Sequence, residues 1–250
     1  MLLTVSRVGA VLELFTADAP EWGVTDAAAA LESPRSTTHA LLSSLAEIGM
    51  LRNSGQGRYR LGWRIASLNE TLNSNSGLRE LAADALRQFA REFRETINLA
   101  VWDRRKTLLV DKVVSEHPIT VRGAPIGARL EPATTEFGRV LLAFDEGNQR
   151  GGPNISITQP GQSLEFNLDD IRAAGMAFDN GEFDPDRRCV AAPIRNEYDR
   201  TIAAVSVTAP ASRFLPRSDE LSAGIRATAN QISRAIVEFA HRPEPVALFE

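Results

Sequence analysis

The sequence predicts an α+β protein of two domains, in which a winged helix-turn-helix precedes a larger domain of strands and helices. Residues 1–72 contain helical segments followed by a short hairpin, and the rest of the chain mixes strands with helices, with a helix at each end. The length of 250 residues also fits two domains of unequal size. We expect a winged helix-turn-helix at 1–72, a linker helix at 73–95 and a second domain at 96–250.

Composition indicates an ordinary folded protein without a large excess of positive charge. Hydrophobic residues make up 43% of the chain and charged residues 24%. The formal net charge of −4 argues against a protein that coats nucleic acid without specificity. The single cysteine, Cys189, excludes a disulfide framework and a Cys-rich zinc site, and we expect neither a metal nor a cofactor.

Neither a signal peptide nor a membrane span is expected. Arg7 and Glu13 interrupt the apolar N-terminal segment, and no small-residue cleavage site follows it. No stretch approaches the roughly eighteen apolar residues that suggest a transmembrane helix. We therefore expect a cytoplasmic protein, in agreement with its single cysteine.

The first domain begins with three helical segments. In the first segment, apolar residues recur at helical spacing, at Val5, Val8, Val11, Leu12 and Phe15. Thr25 is placed to cap a short second helix, and Ser33 to cap a third that has Pro34 at its first position. The third helix is expected to run to about Ile48 and to end at Gly49, which suits the left-handed C′ position.

The third helix has two different faces. One face is apolar and consists of Leu41, Leu42, Leu45 and Ile48. The opposite face carries small or hydrogen-bonding residues, namely Ser36, His39, Ala40 and Ser43. A purely solvated helix would carry mixed lysine and glutamate there, so we expect this face to bind something.

A short hairpin follows the third helix, and its arginines are expected on the outer face. Two arginines alternate with Tyr59 and Leu61 after a turn at residues 53–57. Residues 62–72 form another helical run, and the polar stretch 71–77 is typical of a domain boundary.

This region has the two features that a DNA-binding helix-turn-helix needs, which are short polar groups early in the second helix and basic groups that reach phosphates. Between residues 35 and 64 the local charge excess is +4, although the whole chain is acidic. The predicted DNA-binding residues are Arg35, Ser36, Thr37, His39, Ser43, Arg52 and Arg58. A winged helix that binds only protein is the alternative.

The second domain is predicted to be a sheet covered by helices. A helix at 78–94 precedes strands at 97–101 and 107–114, which should pair as a hairpin. Further segments are helices at 138–144 and 168–174, strands at 176–179, 189–195 and 201–208, and a long final helix. Residues 146–162 are rich in Gly, Asn, Gln and Pro and are interpreted as a surface loop without a role.

The sequence carries no catalytic motif. It lacks a Walker loop, an HExxH pair, a Gly-x-Ser-x-Gly elbow and a dinucleotide-binding fingerprint. Its histidines, His39, His117 and His241, lie far apart, and none has a triad or metal-ligand neighbour in sequence. An enzyme that acts on a small acid is therefore not expected.

Four segments carry a family resemblance: PRSTTHALL (34–42), GRYRLG (57–62), GRVLLAF (138–144) and RCVAAPI (188–194). Their sequences and their order resemble the IclR-type bacterial transcription regulators over nearly the whole chain. The resemblance implies a winged helix-turn-helix joined to a GAF-like effector-binding domain. It also implies a homodimer or tetramer that binds double-stranded operator DNA and a small-molecule effector, as repressors of this type do.

By the same resemblance, the effector pocket is lined by the segment before Gly138 and by three later strands. The residues concerned are Phe137, Gly138, Asp179, Cys189 and Ser206. Thr134 and Thr135 are added because N–H groups near a helix start can receive a carboxylate, which the family often senses. Strand alternation places Ser206 on the face opposite to its two valine neighbours.

The chain departs from the family's pattern at three places. Glu32 stands in the turn where the family has Gly, and Ala40 follows His39 where the family has Arg, which removes a DNA contact. Glu136 and Phe137 replace small residues and should reshape or shrink the pocket. Glu136 would oppose an anionic effector unless its side chain turns outward.

Some of these residues also allow a purely structural interpretation. Asp179 could cap the turn at 179–181, and a lone buried cysteine such as Cys189 is often a small core residue. Arg187 and Arg188 are expected to be solvated or paired with the acidic residues 184 and 186.

Together these observations predict a DNA-binding regulator whose operator affinity changes when a small carboxylate or aromatic acid binds. The alternative is an effector-independent dimeric regulator with a degenerate pocket. We expect the dimer to be joined by the winged helices and by the helix at 78–94, through an exposed apolar side.

Overall fold

The computed structural model describes residues 3–16, 18–114, 116–117, 123–145, 154–159 and 162–241. It confirms the α+β class and divides the chain into two compact units, Met1–Ser76 and Gly77–Glu250. No helix within these ranges is long and apolar enough to cross a membrane.

The first unit is a winged helix-turn-helix. Its elements are α1 (Leu3–Glu13), β1 (Trp22–Gly23), α2 (Val24–Ala30), α3 (Arg35–Glu47), β2 (Leu51–Gly55), β3 (Arg58–Leu61) and α4 (Arg64–Ser76). The strands form an antiparallel sheet in the order β1-β3-β2. Its core consists of Val11, Ala27, Leu42, Leu45, Leu51 and Tyr59, and these residues pack the helices against the hairpin.

Both predicted side-chain caps in this unit are wrong. Helix α2 begins at Val24, so Thr25 lies inside the helix rather than before it. Pro34 occupies the N-cap of α3 with an extended ψ of 139°, which leaves Ser33 one residue too early to cap. The Ser33 hydroxyl is buried and has no hydrogen-bond partner within the described ranges.

The turn between the two helices and the end of α3 use left-handed backbone conformations. Gly49 has a φ of +76°, which confirms its predicted role after the helix. Glu32 has a φ of +47°, in the left-handed region that glycine adopts most easily. This is the turn position at which the resemblance implies a glycine. Ile48 is the C-cap and is 52% exposed, so its assignment to the apolar face of α3 is wrong.

The two units divide at Gly77, within the polar stretch 71–77 that was predicted to be a domain boundary, and this stretch is helical as far as Ser76. Helix α4 continues to Ser76, and the break falls at Gly77, whose φ is +57°. The next helix, α5 (Leu78–Phe93), belongs to the second unit, and its apolar side is buried in the core of that unit through Ala82, Ala85, Leu86 and Phe89. The expected exposed apolar side on this helix is therefore wrong.

The second unit is built on a six-stranded antiparallel sheet in the order β6-β5-β4-β11-β10-β9. Its strands are β4 (Thr96–Asp103), β5 (Lys106–Val113), β6 (Arg129–Leu130), β9 (Ala177–Asp179), β10 (Arg187–Arg195) and β11 (Thr201–Pro210). Its further helices are α6 (Glu136–Phe144), α7 (Leu168–Ala174), α8 (Ala211–Phe214) and α9 (Ser218–Ala240). A separate hairpin pairs β7 (Asn154–Gln159) with β8 (Gln162–Asn167).

The β7–β8 hairpin overturns part of the predicted loop at 146–162, since its first strand begins at Asn154. Residues 146–153 and 160–161 lie outside the described ranges. Strands form here because Ile155 and Ile157 alternate with polar residues, and the partner strand repeats this pattern with Leu164 and Phe166.

The two faces of the sheet are covered by different helices. One face carries Val205 and Val207 and packs against α5 and α9, while the other carries Ala204 and packs against α6 and α7. The predicted alternation along β11 is therefore confirmed, and Ser206 lies on the α6 side. Polar side chains on that face create the site described below.

Candidate functional site

The candidate DNA-binding face of α3 lies on the surface of the first unit. Ser36, His39 and Arg35 are exposed, and Thr37 and Ser43 are partly buried. The hydroxyl oxygen of Ser43 lies 3.4 Å from that of Tyr59, which ties the face to the hairpin. The start of α3 and the exposed hairpin thus offer polar and basic groups within one unit.

Most of the hairpin's positive charge is held by one acidic residue, Glu21, that precedes β1. The Nε atoms of Arg58 and Arg60 lie 3.2 and 3.0 Å from its two carboxylate oxygens. The Ser54 hydroxyl donates to the same carboxylate. Arg52, on the paired strand, is exposed and makes no ion pair within the described ranges.

These contacts keep Glu21 ionised. The hydrogen bond from Ser54 and then that from Arg60 lower the pKa of Glu21 to about 2. Asp26 adds a second acidic group, 4.0 Å from Arg58. Glu21 and Asp26 lie outside residues 35–64 in sequence but contact the arginines of that segment. They therefore offset part of its positive charge.

The candidate effector site begins with two rows of side chains across the α6 side of the six-stranded sheet. Strand pairing aligns Lys112 with Asn98 and Asn98 with Ser206 in one row. A second row consists of Thr96, Thr208, Cys189 and Asp179. Polar groups from five strands therefore meet on a face that is otherwise apolar.

A cavity of about 320 Å³ lies over these rows, beside the start of α6. Three predicted site residues line it: Thr134, Thr135 and Phe137. It is also lined by Asn98, Lys112, Glu136, Arg187 and Thr208. The volume falls at the lower end of the range found for small-ligand pockets, and Glu136 and Phe137 line the site without filling it.

Hydrogen bonds connect the cavity wall to the residues behind it. The Asn98 amide donates to the hydroxyls of Ser206 and Thr208, at 3.3 and 3.1 Å. The Cys189 thiol lies 3.5 Å from the Thr208 hydroxyl. Burial raises the pKa of the Cys189 thiol well above its usual value, so this thiol stays protonated.

Asp179 forms a buried ion pair and also caps a turn. Its Oδ2 atom lies 3.2 Å from Nη2 of Arg187, and its Oδ1 atom accepts from the Gly181 N–H at 3.0 Å. The expected solvation of Arg187, or its pairing with residues 184 and 186, is therefore wrong. Arg188 donates instead to the carbonyl oxygens of Pro185 and Arg187, at 2.9 and 2.7 Å.

Glu136 points inward. Its side chain is 3% exposed, so the outward orientation considered for an anion-binding pocket is not observed. Burial raises the pKa of Glu136, and interactions with Ser206 and its own backbone N–H partly offset this. The charge of Asp179 raises the pKa and that of Arg187 lowers it, so the first residue of α6 presents to the cavity a carboxyl group whose pKa is raised overall.

The predicted role of the Thr134 and Thr135 backbone N–H groups is wrong. These groups donate to the carbonyl oxygens of Glu131 and Pro132, at 3.1 and 3.3 Å, within the turn before α6. The Thr135 hydroxyl instead caps α6 by accepting from the Gly138 N–H at 3.1 Å.

Gly138 supports the cavity without lining it. A Cβ atom at this position would stand 2.2 Å from the Pro132 carbonyl oxygen, so only glycine lets the start of α6 pack against the preceding turn. Gly138, Asp179, Cys189 and Ser206 lie behind the cavity wall rather than on it.

Three metal-ligand types also meet here. One ligand atom each from Glu136, Asp179 and Cys189 lies within 4.8 Å of the others. The positive charge of Arg187 already acts on all three groups, and its guanidinium contacts Asp179. A cation would have to compete with this guanidinium, so we assign no metal to the cluster.

Several functional candidates were not predicted from the sequence. They include Lys112, Asn98 and Thr208. These residues are distant in sequence, and only the register of the strands brings them together on the sheet. A usable signal existed for Asn98, since it is a polar residue between Ile97 and Leu99 in an apolar strand.

Comparisons with known proteins give a consistent result. Residues 4–55 match the IclR helix-turn-helix domain, and residues 71–234 match the domain described as "Bacterial transcriptional regulator IclR C-terminal". The chain is 30% identical over 247 residues to the glycerol operon regulatory protein of Streptomyces griseus. The alignment covers 92% of this chain and 95% of that protein. It is 28% identical over 223 residues to the HTH-type transcriptional regulator XynR of Escherichia coli, covering 85% and 88% of the two chains.

Solved structures share the fold. The crystal structure of an IclR homolog complexed with 4-hydroxybenzoate, from Microbacterium hydrocarbonoxydans, superposes with a TM-score of 0.79. The match covers 93% of this chain and 98% of that one at 24% sequence identity.

Proposed function

The chain belongs to the IclR family of bacterial transcriptional regulators, and from this we propose that it binds operator DNA through α3 and the β2–β3 hairpin, with an affinity that a small acidic effector changes. The family's members are DNA-binding regulators with an effector-binding domain. We further propose domain limits of 1–76 and 77–250, in place of the expected 1–72, 73–95 and 96–250, because α4 continues to Ser76 and α5 packs in the second unit.

The exposed polar face of α3 is the observation that supports DNA contact. Ser36 and His39 can approach base edges in the major groove, while Arg35 and Arg52 can approach phosphates. Ala40 is exposed on the same face and offers no hydrogen bond, so sequence discrimination depends on its neighbours.

The cavity beside α6 supports effector binding over the alternative of a degenerate pocket. It is open, and Lys112 and Arg187 on its wall favour an acidic ligand. Burial, and then the nearby Arg187 charge, lower the pKa of Lys112, and a bound anion would favour its charged form. We propose a coupling between effector and operator of about 1–3 kcal/mol.

Self-association is proposed through α4. Leu68 and Leu72 are four residues apart, lie on one helix face and are 50% and 64% exposed. None of the side chains described for α4, from Arg64 to Leu72, is buried. An isolated helix of this length is only marginally stable in water, so a second copy that covers this face would stabilise it.

Replacing Arg35 and Arg58 together by Ala is expected to weaken DNA binding at every sequence. Each lost phosphate contact should reduce the slope of log K against log salt concentration by about 0.9. Fluorescence anisotropy with a duplex from the chain's own promoter, measured over a salt series, tests this. Arg91→Ala/Arg234→Ala removes the same charge from exposed positions in the second unit, and equal affinity of both variants would contradict the proposed interface.

The opposite change, Glu21→Gln, is expected to strengthen binding to a random-sequence duplex. It releases Arg58 and Arg60 from a competing carboxylate, and we expect roughly a three- to tenfold gain at low salt that diminishes as salt is added. The same anisotropy assay measures it, with the exposed Glu238→Gln as a control for net charge. Weaker binding would show that Glu21 orients the arginines for DNA instead of competing with it.

A further inference from the structure

We propose that Glu136 recognises the effector as a neutral carboxylic acid, by donating a hydrogen bond to an anionic oxygen of an organic acid held near Lys112 and Arg187. This inference rests on the proposed effector binding and goes beyond it by giving the chemistry of one contact. The same cavity would then take up a proton together with its ligand.

The position of Glu136 makes it a direct contact. It is the first residue of α6, it lines the cavity, and it is 3% exposed. A ligand that fills a space of about 320 Å³ lies close to most of the residues that line it. Glu136 is one of these lining residues, so a bound acid can contact its carboxyl group.

The surroundings of Glu136 favour its protonated form. An oxygen of Asp179 lies within 4.8 Å of a Glu136 oxygen, and two buried carboxyl groups this close do not both ionise readily. Asp179 is the one that stays ionised, because it is ion-paired with Arg187 and accepts backbone N–H groups of the turn. These surroundings therefore favour the protonated form of Glu136, and they also favour that of Glu182, whose pKa is raised by burial and by its hydrogen bond with Asp179.

The other charged and titratable groups near Glu136 and Asp179 lie on β10, α6 and β5 and in the turn after β9, where Glu182 lies 3.6 Å from Arg139 and has a raised pKa. On β10 these are Arg187, which is paired, and Cys189, which stays a thiol. On α6 itself, Arg139 points away and donates to the carbonyl oxygens of Ala133 and Phe178. On β5, burial and then the Arg187 charge lower the pKa of Lys112, so the experiment must distinguish its titration from that of Glu136.

Ligand binding follows from these charges. A carboxylate that enters is attracted by Lys112 and Arg187 and accepts the Glu136 proton in a short, charge-assisted hydrogen bond. When Glu136 is ionised, the same carboxylate meets a like charge in a buried site. Above the pKa of Glu136, binding must therefore take up one proton, and affinity should fall about tenfold per pH unit.

The test is calorimetric titration of the full-length protein with 4-hydroxybenzoate and benzoate, from about pH 5 to about pH 9. We expect the affinity of the wild type to fall with pH above the Glu136 pKa. Glu136→Gln keeps the shape and an N–H donor, so it should bind with an affinity that changes little with pH. The exposed Glu131→Gln is the matched control and should follow the wild type.

Three results would overturn the proposal. These are a flat profile in the wild type, no binding of either acid at the lowest pH, and a slope that persists in Glu136→Gln, which would assign the titration to Lys112. A ¹³C NMR titration of the Glu136 carboxyl group gives an independent check, and a value at or below that of a free glutamate also overturns it. DNA binding without ligand is measured separately, so loss of this inference is distinct from loss of the regulator function.

Discussion

Replacing Asp179 by Ala is expected to lower the free energy of unfolding of the second unit by about 3 kcal/mol. The Asp179 side chain is fully buried, and its partner Arg187 is 22% exposed, so the variant leaves a mostly buried guanidinium without its carboxylate. The turn also loses the acceptor for the Gly181 N–H. Urea unfolding followed by circular dichroism at neutral pH measures the loss.

The pH dependence of this loss of stability distinguishes the contribution of the ion pair from that of the turn. Burial alone would raise the pKa of Asp179, but the interactions with Glu182, Arg187 and the Gly181 N–H together lower it. The stabilisation is therefore complete above the ordinary aspartate pKa and is lost as the pH falls through the lowered value. The difference in stability between wild type and Asp179→Ala should consequently narrow in acid.

Asp179→Asn is the matched variant, because it keeps an oxygen for the turn but removes the charge. We expect it to lose most of the stability that Asp179→Ala loses. If Asp179→Asn is as stable as the wild type, the residue acts only as a turn cap and the ion pair contributes nothing measurable.

Periodicity was sufficient to predict most of the fold. Helix α5 and strand β11 place apolar residues at intervals of 3.6 and 2, and these intervals follow from backbone geometry alone. The predicted Ser33 cap was wrong because Pro34 can stand at the N-cap as well as after it, a choice that depends on its ψ angle, and the Thr25 cap was wrong because α2 begins earlier, at Val24. The β7 strand was not predicted because the polar composition of residues 146–162 obscures the alternation of Ile155 and Ile157.

The sites depended on contacts that no local pattern encodes. Glu21 meets Arg58 across 37 residues of sequence, and only the folded sheet brings the two together. In the cavity, the pairing of Lys112 with Asn98 and of Asn98 with Ser206 depends on the register of three strands, where a shift of one residue would reverse every side chain. Residue types could suggest an acid-binding pocket, but not that Glu136 would be buried in its wall.

The double substitution Leu68→Glu/Leu72→Glu is expected to give a monomer and to weaken binding to a palindromic operator by roughly 100-fold or more. A dimer holds its second winged helix at a high effective concentration near the second half-site, and a monomer loses that advantage. Four acidic side chains would face one another in the dimer, since each copy contributes two. The fold of each winged helix should survive, because both leucines are at least half exposed.

Light scattering gives the mass of the variant, and anisotropy with whole operators and half-sites gives its affinity. The half-site separates the two causes of weaker binding, because a monomer with an intact α3 face should bind it as the wild-type winged helix does. Leu215→Glu makes the same substitution at a leucine that is 61% exposed in the second unit, and it should leave both mass and affinity unchanged. If the double variant is still a dimer, the proposed interface at α4 is wrong. An interface there could not accommodate two buried, unpaired carboxylates per chain.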